Sequence, residues 1–141
     1  MKRLELTRIR VCKRCGRGNA ELTGDAGARL VVRLDAVRVR ELEGRAADAL
    51  RSLADVVLEQ LAAGGGQASE VVLDTTDGGL RGLVSLVRNG ESEVVACTAE
   101  EAVTLAVRGS LRLYATDEAL ADAAPGKANQ HGGAGGPDTL H

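Results

Sequence analysis

Two cysteines two residues apart open the chemistry of this chain: Cys12-Lys13-Arg14-Cys15-Gly16. Thiolates at that spacing in a tight turn, with glycine following, can both point at one tetrahedral Zn²⁺ ion. The pair supplies half of a closed site, and the other candidate ligands of its kind are Cys97, His131 and His141. Three outcomes stay open: completion by Cys97 with a tail histidine or carboxylate, completion by the same pair from a second chain across a dimer, or a free thiol pair with no metal. Lys13 and Arg14 between the sulfurs favour the thiolate, which keeps a redox role in view. Thioredoxin-like pairs precede a helix, however, and this pair falls between expected strands.

Cations surround the cysteines. Residues 1–40 hold eleven Lys and Arg against four Asp and Glu, leaving seven against sixteen in the remainder of a 141-residue chain of net charge −2. Arg8, Arg10, Lys13, Arg14 and Arg17 are therefore the candidate nucleic-acid contacts. The same side chains also read as charges that solubilise a strand or pair with nearby carboxylates. Tyr114 is the one aromatic residue, so binding by a row of stacked bases is excluded and any nucleic acid must be held through its phosphates.

Alternation and period place these groups on elements. Arg3 to Val11 reads as a strand whose apolar parity changes between Leu6 and Ile9, the mark of a bulge. Asn19–Thr23 and Ala28–Leu34 form a hairpin around Gly24-Asp25-Ala26-Gly27, with Leu30, Val32 and Leu34 inward. Residues 36–63 turn helical, with Gly44 as a candidate break and Gly64-Gly65-Gly66 as the stop. A strand region begins at Val71, and Asn89-Gly90 turns Leu80–Arg88 back onto Glu91–Cys97. Thr98-Ala99-Glu100-Glu101 opens a helix with a capping-box pattern, Leu111–Ala115 is a last strand, and a short helix follows Thr116.

The expected fold is α+β, with mostly antiparallel β-meanders packed with two to four helices in a single domain over residues 1–124. A glycine-rich tail over 125–141 cannot bury enough apolar area to order itself. Apolar runs end well short of the roughly 20 residues of a membrane span, the cysteines are too few for a disulfide scaffold, and Met1-Lys2-Arg3 leads into no signal-peptide core. A cytoplasmic protein without membrane contact is expected.

The order meander, helix, three-stranded meander, helix, strand, helix over residues 4–122 resembles the bifunctional nuclease (BFN) domain family. The likeness is carried by Val94-Val95-Ala96-Cys97-Thr98-Ala99-Glu100-Glu101-Ala102-Val103-Thr104-Leu105-Ala106-Val107-Arg108, then Leu111-Arg112-Leu113-Tyr114-Ala115 and Asp117-Glu118. Arg51-Ser52-Leu53-Ala54-Asp55-Val56-Val57 resembles a second, shortened family stretch. Ala96, Thr98 and Ala99 stand where the family has Asp, Arg and Pro, and Gly78-Gly79-Leu80-Arg81-Gly82 replaces an aromatic motif.

The resemblance implies phosphodiester hydrolysis of RNA and DNA, helped by Mg²⁺ or Mn²⁺, at a degenerate site. Its matching polar residues are Asp55, Glu101, Arg51 and Arg108, with the carboxylates for metal or general-base work and the arginines for charge neutralisation. Each also has a structural role open to it. Glu101 fits the reciprocal capping bond to Thr98, Arg51 and Asp55 fit a four-residue helix pair, and Arg108 fits a helix C-terminus. An active nuclease requires Asp55 and Glu101 to approach each other. The alternatives are a catalytically inactive module that binds nucleic acid or protein, with a homo-oligomer bridged through Cys12 and Cys15 as one form of it, and a thiol-redox or metal-sensing module.

Overall fold

The computed structural model describes residues 1–43 and 51–123. The expected break at Gly44 and the expected tail lie outside the described residues.

Strand β1 (Lys2–Val11) pairs antiparallel with β2 (Gly18–Gly24), and its register shifts between Leu6 and Arg8, where the parity change placed a bulge. β2 returns through a short turn at Asp25–Gly27 to β3 (Arg29–Leu34), whose alternate residues Leu30, Val32 and Leu34 are buried. Helix α1 (Ala36–Glu43) follows, with Asp35 accepting the Arg38 amide as its cap. Helix α2 (Leu53–Ala63) starts at Ser52 and ends at Gly64.

The second meander is longer than expected. Its first strand, β4 (Gly66–Thr76), begins inside the glycine run, and Gly66 to Ala68 pair with Arg88 to Leu86 of β5 (Gly79–Arg88). Glycines at the end of a helix hid a strand start, because low propensity does not prevent a backbone from pairing when a neighbouring strand is present. Asn89 and Gly90 both take positive φ, 54° and 79°, and turn β5 into β6 (Glu91–Thr98) with Arg88 opposite Glu91. Helix α3 (Ala99–Arg108), β7 (Arg112–Ala115) and α4 (Asp117–Asp122) complete the order.

Among the described residues the strands form one sheet in the order β3-β2-β1-β7-β4-β5-β6. The short strand β7 joins the two meanders, antiparallel to β1 and parallel to β4. Leu113 and Ala115 bury their side chains there beside Leu4, Val71 and Leu73, which gives four residues enough apolar contact to hold a central position. Helix α3 crosses the sheet on a stripe of small residues, Ala99, Ala102, Val103 and Ala106. A methyl group on Gly82 of β5 would stand 2.1 Å from the Ala102 Cβ, so glycine in the strand and alanine in the helix are one packing decision. No described helix is long and apolar enough to cross a membrane.

Candidate functional site

Helix α2 begins with a complete capping box. The Asp55 amide donates to Ser52 Oγ at 3.1 Å, and the Ser52 amide donates to Asp55 Oδ2 at 3.2 Å. The local pattern Ser-x-x-Asp before an apolar run is a helix-start signal. It also fixes the rotamer of Asp55 and aims its carboxylate at the end of α3.

Arg108 meets it there. Its Nε donates to Asp55 Oδ1 at 3.0 Å, its Nη2 donates to Asp55 Oδ2, and its Nη1 donates to the Glu41 carbonyl oxygen at 3.0 Å. One guanidinium thus ties the start of α2 and the end of α1 to the last turn of α3. The hydrogen bond from Arg108 holds the Asp55 carboxyl down at about 2, with burial opposing and the Ser52 amide assisting. Both oxygens are committed to partners, so this carboxylate is fully ionised near neutrality and is a poor general base.

The other two candidate catalytic residues lie elsewhere. Arg51 precedes α2 rather than standing on it, and its ion pair is with Glu59, one turn further along the helix from Asp55. The expected Arg51–Asp55 pair is therefore replaced, because the cap at Ser52 ends the helical spacing before residue 51. The Glu101 amide donates to Thr98 Oγ1 at 3.1 Å, but the cap of α3 lacks the reciprocal bond in which the Glu101 carboxylate would accept the Thr98 amide. Its side chain instead lines a cavity of about 170 Å³ between α1, α2 and α3, with Arg38, Glu41, Leu53, Val57 and Thr104. Asp55 is not on that wall. Among the described residues no three His, Cys, Asp or Glu side chains gather as a metal-holding group.

The cysteine turn joins β1 to β2. The Cys12 amide donates to the Arg17 carbonyl at 2.7 Å, and the Gly16 amide donates back to the Cys12 carbonyl at 2.9 Å. Gly16 has φ +77°, and a methyl group added to it would press on Ala36 at 3.3 Å, so glycine closes the loop where another residue would strain it. Hydrogen bonds from Cys15, first through its backbone, hold the Cys12 thiol below its ordinary range, and the charge of Arg14 adds to this. Cys15 is exposed and Cys12 half-exposed.

Cys97 is a different kind of thiol. It lies on β6, and β7, β4 and β5 stand between that strand and β1 in the sheet. Burial first, then the charge of Glu101, pushes its pKa up. His131 and His141 lie outside the described residues.

The five candidate nucleic-acid residues divide. Arg10 is bonded to Glu21, which also attracts Arg8 and Arg29, and these cations hold the Glu21 carboxyl below its ordinary range, the Arg10 hydrogen bond most of all. Lys13, Arg14 and Arg17 are exposed in the cysteine turn, and no described carboxylate forms an ion pair with them. Comparison with protein-family models and with curated proteins gives no match.

Sequence reasoning missed the Asp55–Arg108 junction, whose partners are 53 residues apart. The Ser52-x-x-Asp55 spacing was available as a signal for its local half; nothing local signals that Arg108 is its partner.

Proposed function

We propose that this chain is a BFN-like nucleic-acid-binding module whose cysteine turn holds a soft divalent metal, zinc first, and whose inherited phosphodiesterase site is degenerate. The observation that carries this reading is the contrast in commitment. Asp55 is saturated by Arg108 and Ser52 and Arg51 is engaged by Glu59, while the turn offers two accessible thiols beside three cations that have no carboxylate partner among the described residues. Zinc bound by Cys12 and Cys15 would add positive charge to Lys13, Arg14 and Arg17, with further ligands from a partner, solvent or the substrate. With Tyr114 as the one aromatic residue, the interaction is with the phosphate backbone.

The test uses the full chain, metal-stripped and then supplied with Zn²⁺, Mg²⁺ or Mn²⁺, against labelled single-stranded RNA and DNA. Expected are salt-sensitive binding, loss of bound zinc in Cys12→Ser/Cys15→Ser, and no cleavage above background. Mg²⁺- or Mn²⁺-dependent cleavage lost in folded Glu101→Ala or Asp55→Ala would instead establish a working nuclease. Binding unchanged by Lys13→Ala/Arg14→Ala/Arg17→Ala would remove the turn from the interface.

A further inference from the structure

The sheet ends on two unlike strands. At one edge, β3 presents Arg29 and Arg33 outward and has α4 packed beside it. Cations and cover are common means of keeping an edge from pairing. At the other edge, β6 has the sequence Glu91-Ser92-Glu93-Val94-Val95-Ala96-Cys97-Thr98, with no Lys, Arg or Pro, and pairs with β5 over its whole length without a register shift. All of its residues but Cys97 are exposed, Val94 at 63% and Val95 at 43% on opposite faces of the strand. It is an unbulged edge with apolar residues at its centre.

The Asn89-Gly90 turn decides which backbone groups are free. A two-residue hairpin of this kind makes its flanking residues, Arg88 and Glu91, a hydrogen-bonded pair. Alternation along an antiparallel ladder then directs the amides and carbonyls of Glu91, Glu93, Val95 and Cys97 toward β5. Those of Ser92, Val94, Ala96 and Thr98 face outward, and among the described residues no strand lies beside them.

We propose that β6 pairs antiparallel with β6 of a second copy, about a two-fold axis through Val95, to make one continuous sheet across a homodimer. Ser92 then stands opposite Thr98, Val94 opposite Ala96, Val95 opposite its own symmetry mate and Glu93 opposite Cys97. This register is chosen by charge and by count. It engages all four outward-facing residues and sets no glutamate against a glutamate. Sliding two residues toward the hairpin takes Thr98 off the ladder, and sliding four sets Glu93 against Glu93, which is unfavourable between directly opposed residues. Sliding the other way takes Ser92 off the ladder. A second copy is the fitting occupant because the strand's polar ends and apolar centre are complementary to themselves in reverse.

The register is testable by crosslinking. Val95 faces its mate in a non-hydrogen-bonded pair, where Cα atoms are ~4.5 Å apart and a disulfide can form. Val94 faces Ala96, which puts two Val94 positions beyond the ~7 Å limit for bridging. In a Cys12→Ser/Cys15→Ser/Cys97→Ser background of the full chain, Val95→Cys is expected to form a covalent dimer under mild oxidation and Val94→Cys is not. Sedimentation of the wild type is expected to give a dimer. Val94→Lys and Ala96→Pro are each expected to weaken it at least tenfold; the proline removes an amide that faces away from β5, so the internal ladder survives. A monomeric wild type at its highest soluble concentration would overturn the proposal. So would crosslinking at position 94 as fast as at 95, or a dimer untouched by both Val94→Lys and Ala96→Pro but lost on removal of metal.

Discussion

The Asp55–Arg108 junction and the Cys12–Cys15 turn both bring reactive side chains together, and they differ in what is left over. At the junction, the two Asp55 carboxylate oxygens accept from the Arg108 guanidinium fork and a helix-cap amide, the third guanidinium nitrogen donates to the Glu41 carbonyl, and the pair is about one-fifth exposed. Both carboxylate oxygens and all three guanidinium nitrogens have protein partners, and the arrangement ties three helix ends together. At the turn, the backbone is closed by two hydrogen bonds while the sulfurs and flanking cations face solvent. A satisfied site stabilises the fold, whereas a closed turn whose thiols and cations meet solvent is available for binding.

The largest effect should come from breaking the junction. Arg108→Ala leaves the Asp55 carboxylate without its countercharge and the Glu41 carbonyl without its donor, and is expected to lower stability by ~2–4 kcal/mol in urea unfolding. A change below ~1 kcal/mol would show that the junction is a surface pair of the ordinary kind.

Acid should separate the two regions next. The folded-state value of Asp55 is depressed, so its contribution is present above the ordinary value of 3.8 and is lost as pH falls through about 2. With allowance for screening at a partly exposed pair, this is ~1–2 kcal/mol. Asp55→Asn should flatten the stability curve over that interval, and Cys12→Ser/Cys15→Ser should leave its slope as in the wild type.

Removing the caps tests the same helices more gently. Ser52→Ala and Thr98→Ala each take away a hydroxyl that accepts a backbone amide and should cost ~1 kcal/mol. If Ser52→Ala costs more than Thr98→Ala, the excess measures how far the Ser52 cap positions Asp55 for Arg108.

The smallest effect on stability belongs to the turn. Cys12→Ser/Cys15→Ser in metal-free protein should change stability by less than ~0.5 kcal/mol, as expected for exposed positions. The sharper readout is alkylation near neutral pH. The lowered Cys12 thiol should react well before Cys97, whose half-buried thiol is raised. Equal rates would show that the turn does not activate its sulfur.

Much of the fold was legible because its signals are local. The bulge in β1 followed from apolar parity, the β5–β6 hairpin from Asn89-Gly90, and the end of α2 from Gly64. The start of β4 was not, because Gly66 and Gln67 carry little strand propensity and are held by pairing with β5. The site was less legible than the fold. Asp55 and Arg108 were each singled out, but Asp55 was paired with Arg51 on helical spacing, and only the position of Ser52 as the cap shows that Arg51 lies off the helix. Glu101 was assigned a capping role that its amide fulfils and its carboxylate does not.

By itself the sequence determined the elements, their turns and the cysteine loop, since each depends on residues a few positions apart whose backbone preferences act directly. Tertiary structure decided the placement of β7 between the two meanders, the union of Asp55 with Arg108, the separation of Cys97 from the cysteine pair and the exposure of β6 as an edge. Those outcomes depend on which surfaces meet when the shared core closes. Contacts across tens of residues are selected by the burial of the whole sheet, and no single stretch of chain encodes them.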